Sequence, residues 1–343
     1  MKNVCVIGHF AKDENLLNGQ TVKTKIITKE LIKIFGKKEV SCIDTCGGIK
    51  ALKRIPKQCL NALKYHKNII IMPAENGLRV IAPLLVLFNG FFHRNLHYMV
   101  IGGWLPQFLQ NKKMLSLFLR EFEALYVETN AMKVALHKFG FNNVFVVPNC
   151  KELKILKPDE LVYQDSEPFK LCTFSRVMKE KGIEEAVSTV RKINDTENKV
   201  VFTLDIYGQI DEKKIEWFEN LQKSFPKYIR YSGLVSFDES TEVLKEYYAL
   251  LFPTFYEGEG FAGTLIDAMA AGLPVIASDW KYNSEIIQNG KTGILIKNSL
   301  QESLYEMREN IELWKEMKKN CLDEAGSYLP SKALKPLIAN MMK

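Results

Sequence analysis

Between Tyr256 and Trp280 the chain reads YEGEGFAGTLIDAMAAGLPVIASDW. Gly258, Gly260 and Gly263 are spaced GxGxxG, and two acids, Glu259 and Asp267, stand eight apart with seven residues between them. Glu257 has no such partner, because Leu265 occupies its i+8 position. A glycine loop that opens a helix brings backbone N–H groups and the positive end of the helix dipole to one point. Gly260 and Gly263 lack side chains that would block close approach, so a phosphate or diphosphate is the natural guest. With Asp279 closing the next apolar run, the stretch imitates the dinucleotide fingerprint, whose acid holds ribose hydroxyls about 20 residues on. Two features oppose that reading. The fingerprint opens a full doubly wound domain, yet only 85 residues follow Gly258, and Glu259 would be pressed toward a dianion.

The elements around the loop are legible. An apolar run ends near Thr254, the glycine loop follows, and a helix runs over about 264–271, with Gly272 as its C-cap and Pro274 beyond. Thr264 and Asp267 also form T-x-x-D, a capping box that would stabilise the helix start with or without a ligand. Elsewhere, short apolar runs alternate with helical patterns. Strands are expected over 3–7, 40–44, 68–72, 97–101, 124–128 and 144–147, and again over 170–175, 200–207, 229–232, 248–253, 274–278 and 293–296. Helices are expected over 21–35, 56–65, 111–123, 131–138, 183–193 and 213–224. This alternation predicts parallel sheets covered by helices, an α/β class of two doubly wound domains. Residues 149–168 lose the periodicity and read as the linker, dividing the chain into 1–165 and 166–327. Open parallel sheets bind ligands beyond the carboxyl ends of their strands, where this loop lies.

The stretch resembles the donor-binding signature of retaining glycosyltransferases of family 4, which have the GT-B fold: two Rossmann-like domains facing across a cleft. Glu259 matches the first acid of that family's Glu, seven residues, Glu motif, and Asp267 stands where a second glutamate is usual. FSRVMKEKGIEEAV matches the segment that carries the family's diphosphate-binding cations, here Arg176 and Lys181. LDIYGQ, YSGLV and LFPTFYEGEGF follow in the family's order, so the match is dense over 170–296. In the first half it is limited to NGQTVKTK, LYVETNAM and VFVVPN. The resemblance implies a catalytic set of Glu259, Arg176 and Lys181. It implies donor contacts from Gly19, Arg176, Lys181, Leu234, Glu259, Gly260, Phe261, Ala262, Gly263, Thr264 and Asp267. The cations would neutralise a leaving diphosphate, Glu259 would face the transferred hexose, and Asp267 the ribose. No metal and no cofactor are then expected beyond the nucleotide sugar, with UDP slightly favoured and base contacts near 231–235. The acceptor would be a carbohydrate or a lipid-linked sugar, in a surface-polysaccharide pathway. The tail from 328 to 343 would pack back on the first domain.

Members of the family place a histidine in a first-domain loop that contacts the donor sugar. The comparable loop here, VIGGWLPQF, carries Gly102, Gly103 and Trp104 instead, which leaves His9 and His97 to be weighed as substitutes. A lone histidine near a strand is otherwise a packed or surface residue.

Composition bounds the rest. Hydrophobic content of 47% and charged content of 25% suit a globular protein. Seven cysteines without a CxxC pair predict reduced thiols and no metal site, hence a cytoplasmic location. No signal-peptide pattern is read at the start, and the most apolar stretch, 80–92, is too short to span a bilayer. Residues 1–165 hold 24 Lys/Arg against 13 Asp/Glu, and residues 166–343 hold 23 against 27. A basic first half, with the partly amphipathic segment 49–67, suits an anionic partner such as the inner membrane face. No helix-turn-helix, RNA-binding aromatic or zinc pattern supports nucleic acid. The competing enzyme class is an NAD-dependent oxidoreductase using the 258–263 glycines.

Overall fold

The computed structural model describes residues 1–11, 19–164, 166–236 and 238–343, without the side chains of 48–52. The chain divides into two compact units. The first is Met1–Glu152 with Leu329–Lys343, and the second is Leu153–Tyr328.

Six parallel strands form the first unit's sheet: β1 (Lys2–Gly8), β2 (Val40–Asp44), β3 (His66–Ile71), β4 (Asn95–Met99), β5 (Ala124–Val127) and β6 (Val144–Val146), in the order β2-β1-β3-β4-β5-β6. Its interior strands are continuous apolar runs, such as Ile69, Ile70 and Ile71, because both faces are covered. The tail residues Leu334, Leu337 and Met341 complete one of these cores beside Val4, Val6 and Ile27.

The second unit repeats the plan with β7 (Phe169–Phe174), β8 (Phe202–Tyr207), β9 (Ile229–Gly233), β10 (Ala249–Phe252), β11 (Val275–Ser278) and β12 (Gly293–Ile296). Successive side chains of its strands serve opposite cores. Leu171, Leu251 and Ile276 face the helices Ile183–Glu197 and Leu300–Glu309, whereas Cys172, Leu250 and Val275 face the helix Gly263–Ala270. The strand order is β12-β11-β10-β7-β8-β9, which counted within the unit is the 3-2-1-4-5-6 winding of nucleotide-binding sheets. Its order reverses between β7 and β10, and it is beyond the carboxyl ends of the strands at such a switch point that sheets of this winding bind ligands.

Two expectations need correction, the division of the chain and the start of the helix expected from 56. The division falls at Glu152/Leu153, not at 165/166, and Asp165 itself lies outside the described residues. The expected linker carries Leu156 and Leu161, which bury beside Leu322 in the second unit, and Leu156 N–H bonds to the Ala270 carbonyl at 3.0 Å. The apolar stretch 80–92 is most of an 18-residue helix, Glu75–Phe92. Pro83, Asn89 and Gly90 do not stop it, because Leu78, Ile81, Ala82 and Leu85 bury its inner face. Asn89 then closes the end by accepting from Arg94 N–H at 2.7 Å. Likewise, the helix expected from 56 starts at Gly48 and carries Pro56 inside.

Candidate active site

The loop leaving β7 runs through Arg176 to a single 3₁₀ turn, Lys179–Lys181, and the helix starting at Ile183. The loop leaving β10 runs through Thr254 to Gly263. Both leave the switch point, and backbone bonds join them. The Glu180 carbonyl accepts from Phe255 N–H at 2.8 Å, and Thr254 Oγ1 lies 3.2 Å from it. Two glycines make this approach feasible. Gly182 has φ +74°, and a Cβ there would stand 2.2 Å from the Pro253 carbonyl oxygen. Gly208, at the end of β8 with φ +132°, lies so close to Ser175 that a Cβ would stand 1.8 Å from its carbonyl oxygen. Any side chain at either position would force the loops apart.

Their meeting brings together a charge cluster. Lys181 Nζ lies 2.6 Å from Glu259 Oε2, and Thr254 Oγ1 gives its proton to the same oxygen at 2.8 Å. Glu259 is only 6% exposed, so its charge needs these partners. The ammonium also lies 5.4 Å from the Phe252 ring centre and 5.1 Å from that of Tyr256, both favourable cation–π distances. Trp280 Nε1 holds the Tyr256 carbonyl at 2.8 Å, and Lys281 pairs with Glu257 at 2.7 Å, bracing the loop from outside. A Cβ on Gly258 would meet the Tyr256 ring at 2.8 Å.

The other expected residues fall into groups. Arg176 stands on the same loop as Lys181, but 55% exposed and paired to Asp211 at 3.5 Å, a weak tie. Ala262 is the N-cap and Gly263 the first residue of the helix Gly263–Ala270, so their N–H groups stand at its positive end. Thr264 is inside the helix, not before it. The expected capping box is therefore absent, for no side chain caps this helix, and Thr264 Oγ1 is shielded from solvent with no partner. Asp267 is 2% exposed and accepts from Ser240 Oγ at 3.1 Å. The Phe261 side chain packs edge-on to Tyr328, 5.0 Å between centres, so only its backbone faces the loop. Leu234 follows β9 and is exposed. Gly19 opens the helix Gly19–Phe35 in the first unit, preceded by residues 12–18 outside the described chain.

Of the two histidines, His97 is a core residue. It is fully buried between Tyr126 Oη and Asn68 Oδ1, each 3.2 Å away, and burial lowers its pKa to about 4. It is no sugar ligand. His9 Nδ1 lies 2.8 Å from Thr21 Oγ1 near the start of the first helix.

Thr254, Glu180 and the loop-joining glycines 182 and 208 are not singled out by the sequence. Each glycine stands where a chain leaves a strand or starts a helix, which was the available signal. For the dinucleotide reading, the structure is unfavourable. Its 258–263 glycines follow the unit's fourth strand, whereas a dinucleotide fingerprint follows the first.

Residues 168–310 match the family model described as glycosyl transferases group 1. The GtfA subunit of a UDP-N-acetylglucosamine–peptide N-acetylglucosaminyltransferase from Streptococcus pneumoniae is 35% identical over 139 residues, which is 40% of this chain and 26% of that protein. An uncharacterized glycosyltransferase of Methanocaldococcus jannaschii is 26% identical over 140 residues, 39% of this chain and 34% of its own. The chain thus spans about a third or less of the length of these relatives. Among solved structures, HepE of Anabaena in complex with UDP and glucose superposes with a TM-score of 0.72 at 14% identity, covering 100% of this chain and 99% of that one. Sucrose-phosphate synthase of Thermosynechococcus elongatus does so with 0.76, at 14% identity and the same coverage. The fold of the two units is therefore the GT-B fold of those two structures.

Proposed function

We propose that the chain is a retaining glycosyltransferase that takes a hexose-type sugar from a nucleoside diphosphate donor, with UDP favoured. The observation that carries this reading is the Lys181–Glu259–Thr254 cluster at the switch point, beside the uncapped start of the helix Gly263–Ala270. An ammonium has three N–H donors. Lys181 gives one to Glu259 and keeps two to meet diphosphate oxygens, so the carboxylate aims the lysine as well as offering an acceptor to sugar hydroxyls. Arg176, exposed and loosely held, swings onto the same phosphates as the glycosidic bond breaks. The helix N–H groups add a fixed positive field where the negative charge of the leaving group grows. Together they supply the charge stabilisation of departure, with no proton needed on the leaving diphosphate. The GtfA relative's name specifies a UDP-sugar, and HepE was solved with UDP, which supports the uridine preference.

The acceptor is proposed to be a carbohydrate or lipid-linked sugar of a surface polysaccharide, with the protein at the cytoplasmic side and its fixed cations serving without a metal. The test is transfer from a panel of radiolabelled UDP-, GDP- and ADP-sugars to water or a simple glycoside, with the anomeric configuration of the product read by NMR. An inverted product would refute retention, and no transfer from any nucleotide sugar would refute the activity.

A further inference from the structure

The helix Glu75–Phe92 packs between the helices Gly48–Tyr65 and Lys113–Arg120 on one side of the first sheet. Its inner face is buried, as expected. Its outer face carries Glu75, Asn76 and Arg79 in the first turns and becomes apolar toward the C-terminal end, where Leu87 is 62% exposed and Phe91 86%. On the flanking helices, Met114, Leu117, Leu60 and Tyr65 are also exposed. Large apolar side chains left exposed together on neighbouring helices in this way mark an interaction site.

The charge around that strip is one-sided. From 48 to 120 the sequence has eleven Lys/Arg and a single acid, Glu75. Lys53, Arg54, Lys57 and Lys64 lie on the helix to one side, and Lys112 and Lys113 at the start of the helix on the other. Among the described residues, none of these six cations has an ion-pair partner. Arg79, Lys112 and Lys113 rim a groove of about 590 Å³ beside Met114 and Phe118. A second copy of this chain is a poor occupant, since it would set cations against cations. The complement is an apolar layer overlaid by negative charge.

We propose that this three-helix face docks on an anionic lipid surface, with Leu87, Phe91, Met114 and Leu117 entering the acyl boundary and the flanking cations held at the phosphates. Long lysine and arginine stems suit that arrangement, because they extend along apolar surface while their heads stay in water. Among the described residues no helix is long and apolar enough to cross a membrane; side chains that enter only the acyl boundary from a surface face give a peripheral attachment. It stands whether or not the second unit binds a donor sugar.

The test uses the full chain and vesicle co-sedimentation, comparing phosphatidylcholine alone with phosphatidylcholine carrying about one-third phosphatidylglycerol. The expected result is strong binding to the anionic vesicles, weakened by salt, and at least tenfold weaker binding to the neutral ones. Each cation reversed among Lys53, Arg54 and Lys57 should lower partition about fivefold or more. Leu87→Ser with Phe91→Ser should lower it about tenfold or more, with melting temperature preserved because both side chains are exposed. A Phe91→Trp variant should shift its fluorescence to the blue on anionic vesicles only. Absence of binding to anionic vesicles, or an unshifted emission spectrum of the Phe91→Trp variant, would overturn the proposal. So would a dimer in sedimentation velocity that the serine pair abolishes, or DNA binding that needs the cations and ignores Phe91.

Discussion

Lys181 and Arg176 have the same expected partner and different structural dependence, which separates their roles experimentally. Lys181 is one half of a pair with a buried carboxylate, so Lys181→Ala leaves Glu259 uncompensated, a loss of about 3–5 kcal/mol. Arg176 is mostly in water, and its 3.5 Å tie to Asp211 contributes little to stability. Both alanine variants should lower turnover by about 10²-fold or more. Only Lys181→Ala should also lower the melting temperature, by about 5 °C or more. Equal thermal effects of the two would contradict the assignment, as would normal turnover of either. Glu259 and Lys181 could be picked out from the sequence because the segments that carry them, EGFAGTLID and FSRVMKEKG, resemble a known donor-binding signature. Thr254 and the Glu180 carbonyl could not, since a threonine or a peptide oxygen gains its role only from what folds against it. The Thr264–Asp267 box failed for a related reason. The same four letters cap a helix or sit inside it depending on a start two residues away, and local spacing does not fix that start.

At the scale of elements, the site is a junction of three strand exits, and glycines set how closely they meet. Gly182→Ala and Gly208→Ala should each abolish the thermal stabilisation by UDP, because either Cβ would intrude on a carbonyl of the neighbouring loop. Gly290→Ala is the control. It also has positive φ, +76°, but nothing lies within 4 Å of its Cβ, so it should cost about 1–2 kcal/mol and leave UDP binding intact. Loss of binding in the control, or its retention in the other two, would contradict the junction. The strands were legible because a buried parallel strand is a short apolar run. The helix Glu75–Phe92 was not, because Pro83, Asn89 and Gly90 break up its apolar run, and only the burial of Leu78, Ile81, Ala82 and Leu85 shows that the helix continues through them. The segment after Glu152 was misassigned because prolines and charges masked the few leucines that seat it.

For the whole molecule, one buried charge makes stability depend on pH. Lys318 is fully buried, its Nζ has no hydrogen-bond partner among the described residues, and it lies 5.2 Å from the Trp314 ring centre, with Cys321 and Glu246 as its electrostatic neighbours. Burial lowers its pKa from 10.5 to about 8. Between about pH 8 and 10.5 the unfolded chain therefore binds more protons at this site than the folded one. The lysine's penalty is fully present below pH 8 and is relieved as pH rises through that window. Lys318→Met should stabilise the protein by roughly 2–3 kcal/mol at pH 7 and flatten the alkaline rise in stability. A destabilised methionine variant would show that the ammonium is instead held by a contact of its own.

In the proposed reaction, the switch point of the second sheet holds a nucleoside diphosphate through Lys181. Isothermal titration of the wild-type chain and of Lys181→Ala with UDP, GDP, ADP and NAD tests it most directly. One nucleoside diphosphate, UDP first, should bind the wild type, the variant should bind it at least tenfold more weakly, and NAD should give no heat. Saturable NAD binding, or diphosphate binding indifferent to the loss of Lys181, would contradict it.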